Sequence, residues 1–372
     1  MEFTFHLPTS IHFGRGTLDQ LGTHTRPWGD HALIVCGRSA MHSTGALTRA
    51  LRSLTAARVR ADVYDRVRVN PRSDDVDEAV RQARALGVNV IIGMGGGSAL
   101  DAAKAVAVGM GHDSVGPLVG RTLEPSPHSL PLVAVPTTGG SGAEVTKGAI
   151  LTDVTRNVKS GIRGEDLFPR VAVIDPSLTD TQPRQVALTS GFDALAHAIE
   201  GLLARRSGPV NAHLAEQALQ LIPPALRKIA AGDTHPDTRD TMAFAALLGG
   251  ISVATGGTCL PHRMQQAMGT AEKPGPTHGA GLAILYPAWL ESLQDHAADQ
   301  LAHVALLLGG TDTYQEITHL LAETGLRSTL RDFDYQSSDI PDFVARITGN
   351  VDNDPCPQPT PNHIASIYRR SL

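Results

Sequence analysis

Two side chains that can bind metal ions, Asp193 and His197, stand four residues apart in the segment 191–200, GFDALAHAIE. Alanine, leucine and isoleucine fill this segment, and this composition predicts a helix. Residues four apart on a helix project from the same face. A carboxylate and an imidazole on one face supply half of a divalent metal site. The segment alone also allows a local hydrogen bond between the two side chains with no metal.

Two further histidines, His262 and His278, flank the segment 263–269, RMQQAMG. Each histidine taken singly is more typical of a structural residue than of a ligand. Together with Asp193 and His197 they give one carboxylate and three imidazoles, a donor set suited to Fe(II) or Zn(II). The sequence does not choose between these two ions.

Glycine-rich segments follow two predicted strands. The segment 93–98, GMGGGS, lies between a buried strand at 88–94 and a helix at 99–108. Glycines let a phosphate approach the backbone, and the helix start offers N–H groups and partial positive charge. The segment is not the G-x-G-x-x-G fingerprint, and a tight turn without a ligand is the alternative. A second loop, 137–142, follows the strand 132–136, so the pair indicates a dinucleotide site at the carboxyl ends of the strands.

The elements that position these residues fall into two halves. Up to about residue 182 apolar strands alternate with helices, which predicts a parallel sheet covered by helices. The predicted strands are 32–36, 58–64, 88–94, 132–136 and 171–176, and the predicted helices are 44–57, 74–86 and 99–108. After residue 182 strand-like runs disappear and Ala- and Leu-rich helical segments take over. We therefore expect an α/β domain at 1–182 and an all-α domain at 183–372.

Composition limits the class of protein. The chain has 372 residues, is 41% apolar and carries a formal net charge of −5, which argues against nucleic acid or an anionic membrane as a partner. No apolar run approaches the roughly 18 residues of a membrane span, and the first six residues lack the features of a signal peptide. Cys36, Cys259 and Cys356 are far apart, which fits a reducing cytosol. We expect a cytoplasmic protein that acts on a small molecule.

The motifs, taken in order, resemble those of the iron-containing (group III) alcohol dehydrogenase family over nearly the whole chain. The matching segments are Asn70-Pro71, G-G-G-S-x-x-D-x-A-K at 95–104, P-T-T-x-G-S-G-x-E-V-T at 136–146, Asp175-Pro176, G-x-D-A-L-x-H-A-I-E at 191–200 and His278-Gly279. The resemblance implies an N-terminal Rossmann-like parallel sheet that binds a nicotinamide dinucleotide. It also implies an all-α C-terminal domain that binds one divalent metal, the dehydroquinate synthase-like fold, with the active site in the cleft.

The resemblance also assigns residues to roles. It places the metal ligands at Asp193, His197, His262 and His278, and it implies a homodimer. The residues implied to bind the nucleotide are Gly95, Gly96, Gly97 and Ser98 at the pyrophosphate, and Asn70, Asp101, Thr137, Thr138, Ser141 and Lys159 around the rest of the cofactor.

Two departures from the family pattern lie near the implied metal ligands His262 and His278. Many relatives have a second histidine four residues after the third ligand, where this chain has Gln266. Glutamine does not titrate, so either water, a ribose hydroxyl or another side chain delivers the proton, or the proton relay is weak and the activity narrow. The stretch between Gly269 and His278 is also about two residues longer than is common, and this length is expected to reshape the pocket.

A third departure concerns the nucleotide. Many NAD-dependent relatives place an aspartate after the first strand, whereas this chain has Gly37-Arg38-Ser39. Replacing a carboxylate by a cation suits a 2′-phosphate, so we expect NADP(H) to be favoured over NAD(H). The alternative is that Arg38 points to solvent.

The expected activity is metal-assisted hydride transfer between NAD(P)H and a small aldehyde or primary alcohol. Arg263 is a candidate contact for an anionic substrate such as phosphonoacetaldehyde, and a salt bridge on the helix is its alternative role. A glycerol-dehydrogenase-like or maleylacetate-reductase-like activity differs only in substrate. A dehydroquinate-synthase-like cyclase is disfavoured because the helical half has few lysines, Lys228 and Lys273. A non-catalytic relative finds support only in Gln266.

Overall fold

The computed structural model describes residues 2–269 and 275–372. These residues form two compact units. The sheet unit comprises residues 7–138 and 142–182. The helical unit comprises residues 2–6, 139–141 and the described parts of 183–372. Thr270 and the four residues after it lie outside the described residues, and so does most of the predicted long stretch between Gly269 and His278.

The strands and helices of the sheet unit alternate along the chain. Its strands are β1 (Ser10–Phe13), β2 (His31–Gly37), β3 (Arg60–Val67), β4 (Val90–Gly95), β5 (Leu132–Pro136), β6 (Gly148–Asp153), β7 (Val158–Arg163) and β8 (Val171–Ile174). Its α-helices are α1 (Leu21–Thr25), α2 (Ala40–Ser43), α3 (Ala46–Ala56), α4 (Ser73–Leu86) and α5 (Gly97–Gly109).

The main sheet has six parallel strands in the order β1-β8-β5-β4-β2-β3, which confirms the predicted parallel sheet. Both faces of this sheet are buried. Successive residues of a strand point to opposite faces, and Leu33 and Ile34 accordingly pack into two separate apolar clusters. Strand β3 lies on one side of β2 and β4 on the other, with Cys36 opposite Met94. The carboxyl ends of β2 and β4 therefore form a topological switch point, the place where open α/β sheets bind ligands.

Strands β6 and β7 form a separate antiparallel hairpin, which was not predicted from the sequence. Leu151 pairs with Ser160, and only one face of the hairpin is apolar. The turn between the strands contains Asn157, whose φ of +52° lies in the left-handed region. Asn tolerates this conformation better than most residues, so the turn itself was the available signal.

In the helical unit, every secondary-structure element of the described residues after residue 182 is a helix. Its α-helices are α6 (Arg184–Leu203), α7 (Pro209–Ala230), α8 (Pro236–Gly256), α9 (Leu260–Met268), α10 (His278–Ser292), α11 (Ala298–Leu308), α12 (Thr313–Thr324), α13 (Ile340–Arg346) and α14 (Pro361–Arg370). One apolar cluster runs through these helices, with Phe192, Leu195, Tyr286 and Trp289 fully buried within it. The predicted all-helical character of this half is confirmed.

Among the described residues no single helix is long and apolar enough to cross a membrane. Helices α8 and α9 meet that test only as a pair, and the pair is bent by 99°.

Candidate metal centre

Helix α6 carries an aspartate, a histidine and a glutamate on one face. Asp193, His197 and Glu200 follow each other at spacings of four and three residues, which places them on the same side of the helix. Their exposed fractions are 5%, 6% and 0%. Gly201 lets a neighbouring helix approach this face, because a Cβ there would lie 2.3 Å from Ser252 Oγ. The face is therefore a polar group of side chains enclosed by packed helices.

Helices α9 and α10 add two histidines to this group. His262 is buried in the first turn of α9, and His278 begins α10. The Nε2 atoms of His278, His262 and His197 lie 3.4, 3.5 and 3.7 Å from Asp193 Oδ1. Donor atoms of Asp193, His262 and His278 all lie within 4.8 Å of one another, while His197 stacks on the His262 ring at a centroid distance of 4.7 Å. One carboxylate oxygen thus faces three imidazole nitrogens.

These distances bear on the two interpretations of the Asp193–His197 pair. An N–H···O hydrogen bond spans about 2.9 Å, and the 3.7 Å separation is too long for one. Two ligand atoms that each lie about 2.1 Å from one tetrahedral ion are about 3.4 Å apart. The observed 3.4 to 3.7 Å separations match this value, so the local hydrogen bond is excluded and a shared cation fits.

Hydrogen bonding within the described residues also leaves a place for a cation. Asp193 Oδ1 and His262 Nε2 are buried and have no hydrogen-bond partner among those residues. An unsatisfied buried polar atom costs about 1–3 kcal/mol. An ion bound between the two atoms would satisfy both, so the residues present fit a divalent metal.

The ionisation states of Asp193 and His197 suit metal binding, whereas at His262 an ion must displace a proton. Burial of His262 is outweighed by Glu200 and Asp193, which raise the pKa of its imidazole to about 9. Burial disfavours the charged form of Asp193, but His197, His278 and His262 outweigh it and hold the pKa of this carboxyl well below its usual range. Burial also lowers the pKa of His197 and keeps its imidazole neutral. An ionised carboxylate and a neutral imidazole are the forms that coordinate metals.

Hydrogen bonds at Nδ1 orient two of the histidines. His262 Nδ1 donates to Glu200 Oε1 at 2.8 Å, and His278 Nδ1 donates to Gln265 Oε1 at 2.5 Å. With a proton held at Nδ1, the neutral form of each ring has its lone pair on Nε2, the atom that faces Asp193. No role was predicted from the sequence for Glu200 or Gln265. The only available signal was an acidic residue seven positions after Asp193 on the same apolar helix.

Arg263 and Gln266 lie one turn apart on α9. Arg263 Nη1 donates to Gln266 Oε1 at 3.3 Å, and its Nη2 donates to Thr258 Oγ1 at 2.7 Å. Gln266 is buried, and Arg263 is partly exposed. The contact holds a cationic group next to the proposed ligand His262, and it fixes the orientation of the glutamine amide.

In the sheet unit, the β4–α5 turn brings together several of the residues predicted to bind a nucleotide. Gly95 has a φ of +147°, and a Cβ there would lie 2.8 Å from Ala99 Cβ. A Cβ on Gly96 would lie 3.3 Å from Thr138 Cγ2, and Thr137 N donates to Gly95 O at 2.9 Å. Helix α5 begins at Gly97 with buried small residues behind it. The turn is therefore partly exposed glycine backbone at a helix start, a local arrangement suited to phosphate binding.

Three more predicted nucleotide residues adjoin this turn. Asn70 N donates to Ser98 Oγ at 3.4 Å, and Lys159 Nζ donates to Asn70 Oδ1 at 2.9 Å. Burial lowers the pKa of Lys159 to about 8, although Asp101 opposes this. Asp101 Oδ2 accepts from Ile150 N at 2.9 Å, so this carboxylate also holds strand β6.

The other predicted nucleotide residues lie elsewhere. Gly37 ends β2, and the exposed residues Arg38 and Ser39 follow it beside the β4 end of the switch point. Ser141 belongs to the helical unit. The structure therefore groups the glycine turn with Asn70 and Lys159, and it places Arg38 at the neighbouring strand end.

Comparison of the sequence with models of known protein families shows to which family the chain belongs. A family model described as iron-containing alcohol dehydrogenase matches residues 8–176, and one described as the C-terminal part of the Fe-containing alcohol dehydrogenase family matches residues 187–372. The chain belongs to the iron-containing alcohol dehydrogenase family. The predicted family is thereby confirmed, and with it an oxidoreductase of the alcohol dehydrogenase class.

Individual relatives of this family member agree over most of its length. It is 29% identical to the NAD-dependent methanol dehydrogenase of Bacillus methanolicus over 306 residues, which cover 82% of this chain and 80% of the relative. An iron-containing alcohol dehydrogenase from Thermotoga maritima has a TM-score of 0.89 at 31% identity, covering 100% of this chain and 99% of that one. A sulfoacetaldehyde reductase from Bifidobacterium kashiwanohense, solved with NAD+, has a TM-score of 0.88 at 25% identity, with coverage of 100% and 99%.

Proposed function

We propose that this alcohol dehydrogenase family member is a metal-dependent aldehyde reductase. Its metal would be Fe(II) or Zn(II), held by Asp193, His197, His262 and His278. The observation that supports this is the approach of three imidazole Nε2 atoms to Asp193 Oδ1 at 3.4 to 3.7 Å. When bound, the ion supplies Lewis-acid polarisation of the carbonyl oxygen, and a dihydronicotinamide supplies the hydride.

The chain's own residues then set charge and geometry. The ionised Asp193 carboxylate supplies the negative charge in the ligand set, and the Nδ1 hydrogen bonds of His262 and His278 aim Nε2 inward. Gln266 contributes a neutral amide fixed by Arg263. Because that amide cannot titrate, we propose that the proton reaches the product through water or a ribose hydroxyl of the cofactor.

We further propose that the substrate is a small anionic aldehyde such as phosphonoacetaldehyde. Arg263 follows the proposed ligand His262 and holds a guanidinium against Gln266 and Thr258. A guanidinium binds phosphonate or carboxylate oxygens through paired N–H donors. The similarity to a sulfoacetaldehyde reductase adds support, because the substrate in that protein's name is an anionic aldehyde.

We propose NADP(H) as the preferred cofactor. Arg38 is exposed directly after β2, at the switch point where a nucleotide would lie. A cation there favours a 2′-phosphate. The Bacillus relative is NAD-dependent by name, so this is a point on which we propose that the present chain differs.

One panel of assays tests these proposals together. The purified protein is supplied with Fe(II) or Zn(II), and oxidation of NADPH and NADH is followed with propionaldehyde, phosphonoacetaldehyde and succinic semialdehyde. The expected result is metal-dependent turnover that is fastest with NADPH and an anionic aldehyde. Turnover that survives exhaustive chelation would contradict the metal proposal. Preference for NADH or for the neutral aldehyde would contradict the proposals for Arg38 and Arg263. Glycerol oxidation with NAD+ tests the glycerol-dehydrogenase-like alternative.

A further inference from the structure

Glu200 is a fully buried carboxylate in an apolar helical core. It lies on α6, seven residues after Asp193, and has an exposed fraction of 0%. Burying a carboxylate is costly unless hydrogen bonds compensate it. The groups that compensate Glu200 indicate what it does.

Three donors converge on this carboxylate. Oε1 accepts from His262 Nδ1 at 2.8 Å and from Tyr286 Oη at 3.0 Å. Oε2 accepts from the backbone N–H of Cys259 at 2.6 Å. Cys259 is the residue immediately before α9, the helix that carries His262. Glu200 therefore binds both the ring of His262 and the start of its helix.

These bonds determine which atom of His262 faces the centre. A carboxylate only accepts, so a proton must lie on His262 Nδ1, and the neutral form of the ring, the form that binds a metal, then has its lone pair on Nε2. Nε2 is the atom 3.5 Å from Asp193 Oδ1. A carboxylate behind the ring also increases the electron density that the imidazole offers to a cation. Tyr286 Oη lies 3.0 Å from both Glu200 Oε1 and Ala196 O, so its one proton is shared between the carboxylate and that carbonyl.

We propose that Glu200 is a positioning residue of the metal centre, which holds His262 in the tautomer and orientation that bind the ion. The inference rests on the proposed metal-dependent function. It predicts that loss of the Glu200 carboxylate weakens metal binding by about 10–100-fold while the four ligands remain.

A second buried carboxylate supplies a matched control. Asp354 has an exposed fraction of 0% and accepts from Leu260 N, Trp289 Nε1 and Cys356 N, each at 3.0 Å. It therefore holds the same first turn of α9, but none of its hydrogen bonds reaches a proposed ligand. Asp354→Asn perturbs the helix start without removing the partner of His262.

The test is a titration of the metal-free full-length protein with Co(II), followed by visible absorption of the bound ion. The proteins compared are the parent, Glu200→Gln, Glu200→Asp and Asp354→Asn. Far-UV circular dichroism and thermal unfolding of each metal-free protein show that it is folded. The expected result is a Kd for Co(II) that rises about 10–100-fold in both Glu200 variants, with a changed visible spectrum, and a parent-like Kd and spectrum in Asp354→Asn. If Glu200→Gln does not fold, Glu200→Asp decides, because it keeps the charge but shortens the reach to His262.

The outcomes separate this inference from the proposed function. A parent protein that binds no Co(II) contradicts both. A parent that binds Co(II), with Glu200 variants of unchanged Kd and spectrum, overturns the inference alone. Equal weakening in Asp354→Asn and the Glu200 variants also overturns it, because the effect then comes from the helix start and not from His262.

Discussion

His262 Nε2 lies 3.5 Å from Asp193 Oδ1, and neither of these buried atoms has a hydrogen-bond partner among the described residues. The other nitrogen of the same ring donates to Glu200 at 2.8 Å. The Nδ1 atom of His262 is therefore hydrogen-bonded, whereas its Nε2 atom, which faces Asp193, is not. A cation between Nε2 and Asp193 Oδ1 is the simplest chemistry that satisfies them.

Replacing Arg38 by alanine is expected to reduce the preference for NADPH. A charge-assisted hydrogen bond contributes about 1.5–3 kcal/mol, which corresponds to a KM for NADPH raised about 10–100-fold. The KM for NADH is expected to stay unchanged, because NADH has no 2′-phosphate. Steady-state kinetics with both nucleotides measure the effect, and Arg52→Ala on the exposed part of α3 is the matched control. Equal effects on both nucleotides would show that Arg38 does not contact the 2′-phosphate.

Replacing Arg263 by alanine is expected to lower kcat/KM for phosphonoacetaldehyde about 10–100-fold, again the value of one charge-assisted contact. The kcat/KM for propionaldehyde should change much less. The comparison between the two aldehydes in one variant corrects for any disturbance of His262 or Gln266. A uniform loss on both substrates would assign Arg263 to holding α9 instead of binding substrate.

Replacing Gln266 by histidine introduces a titratable group at a buried position beside Arg263. An imidazole titrates near pH 6.5 in the absence of perturbation, so the profile of kcat against pH should gain an inflection that the parent lacks. Gln266→Asn, which shortens the amide without adding a titratable group, is the control. The expectation that the parent lacks a titrating group at this position is contradicted if its profile already shows that inflection and the histidine variant leaves the inflection unchanged.

Lys104 provides a pH dependence of stability in the sheet unit. Its Nζ donates to Thr146 O, Thr146 Oγ1 and Gly148 O at 2.7, 3.0 and 2.9 Å, and burial lowers its pKa from 10.5 to about 8. Between these two pH values the unfolded chain binds more protons than the folded chain, so this lysine makes the free energy of unfolding rise with pH.

The comparison protein is Lys104→Met, which has no such proton. Urea unfolding of the parent and the variant at several pH values from 8 to 10 measures the effect. The stability of the parent relative to the variant is expected to increase across this range. A constant difference between the two proteins would contradict the lowered pKa.

The parts of the fold that were predictable have strong local signals. The strands β2, β4 and β5 are apolar runs followed by glycine- or proline-containing turns, and the sheet buries both of their faces. The hairpin β6–β7 was missed because its strands are only half apolar and because its pairing depends on a turn at Asn157. Local periodicity does not report such pairing.

The metal ligands were predictable to different degrees. Asp193 and His197 carry their own signal, because both stand on one face of one helix. His262 and His278 come from other helices, and only the family resemblance tied them to that face. Glu200 was not recognised, because its partner His262 is 62 residues away and the contact exists only in the folded chain.

We propose that Asp193 and the three histidines together hold one divalent ion. The most direct measurement is the metal content of the purified protein, determined by mass spectrometry after reconstitution with Zn(II) and gel filtration, in the parent and in Asp193→Ala. The exposed Asp237→Ala on α8 serves as the control. We expect one equivalent of zinc in the parent and in Asp237→Ala, and almost none in a folded Asp193→Ala protein. Equal zinc in all three proteins, or none in the parent, would contradict it.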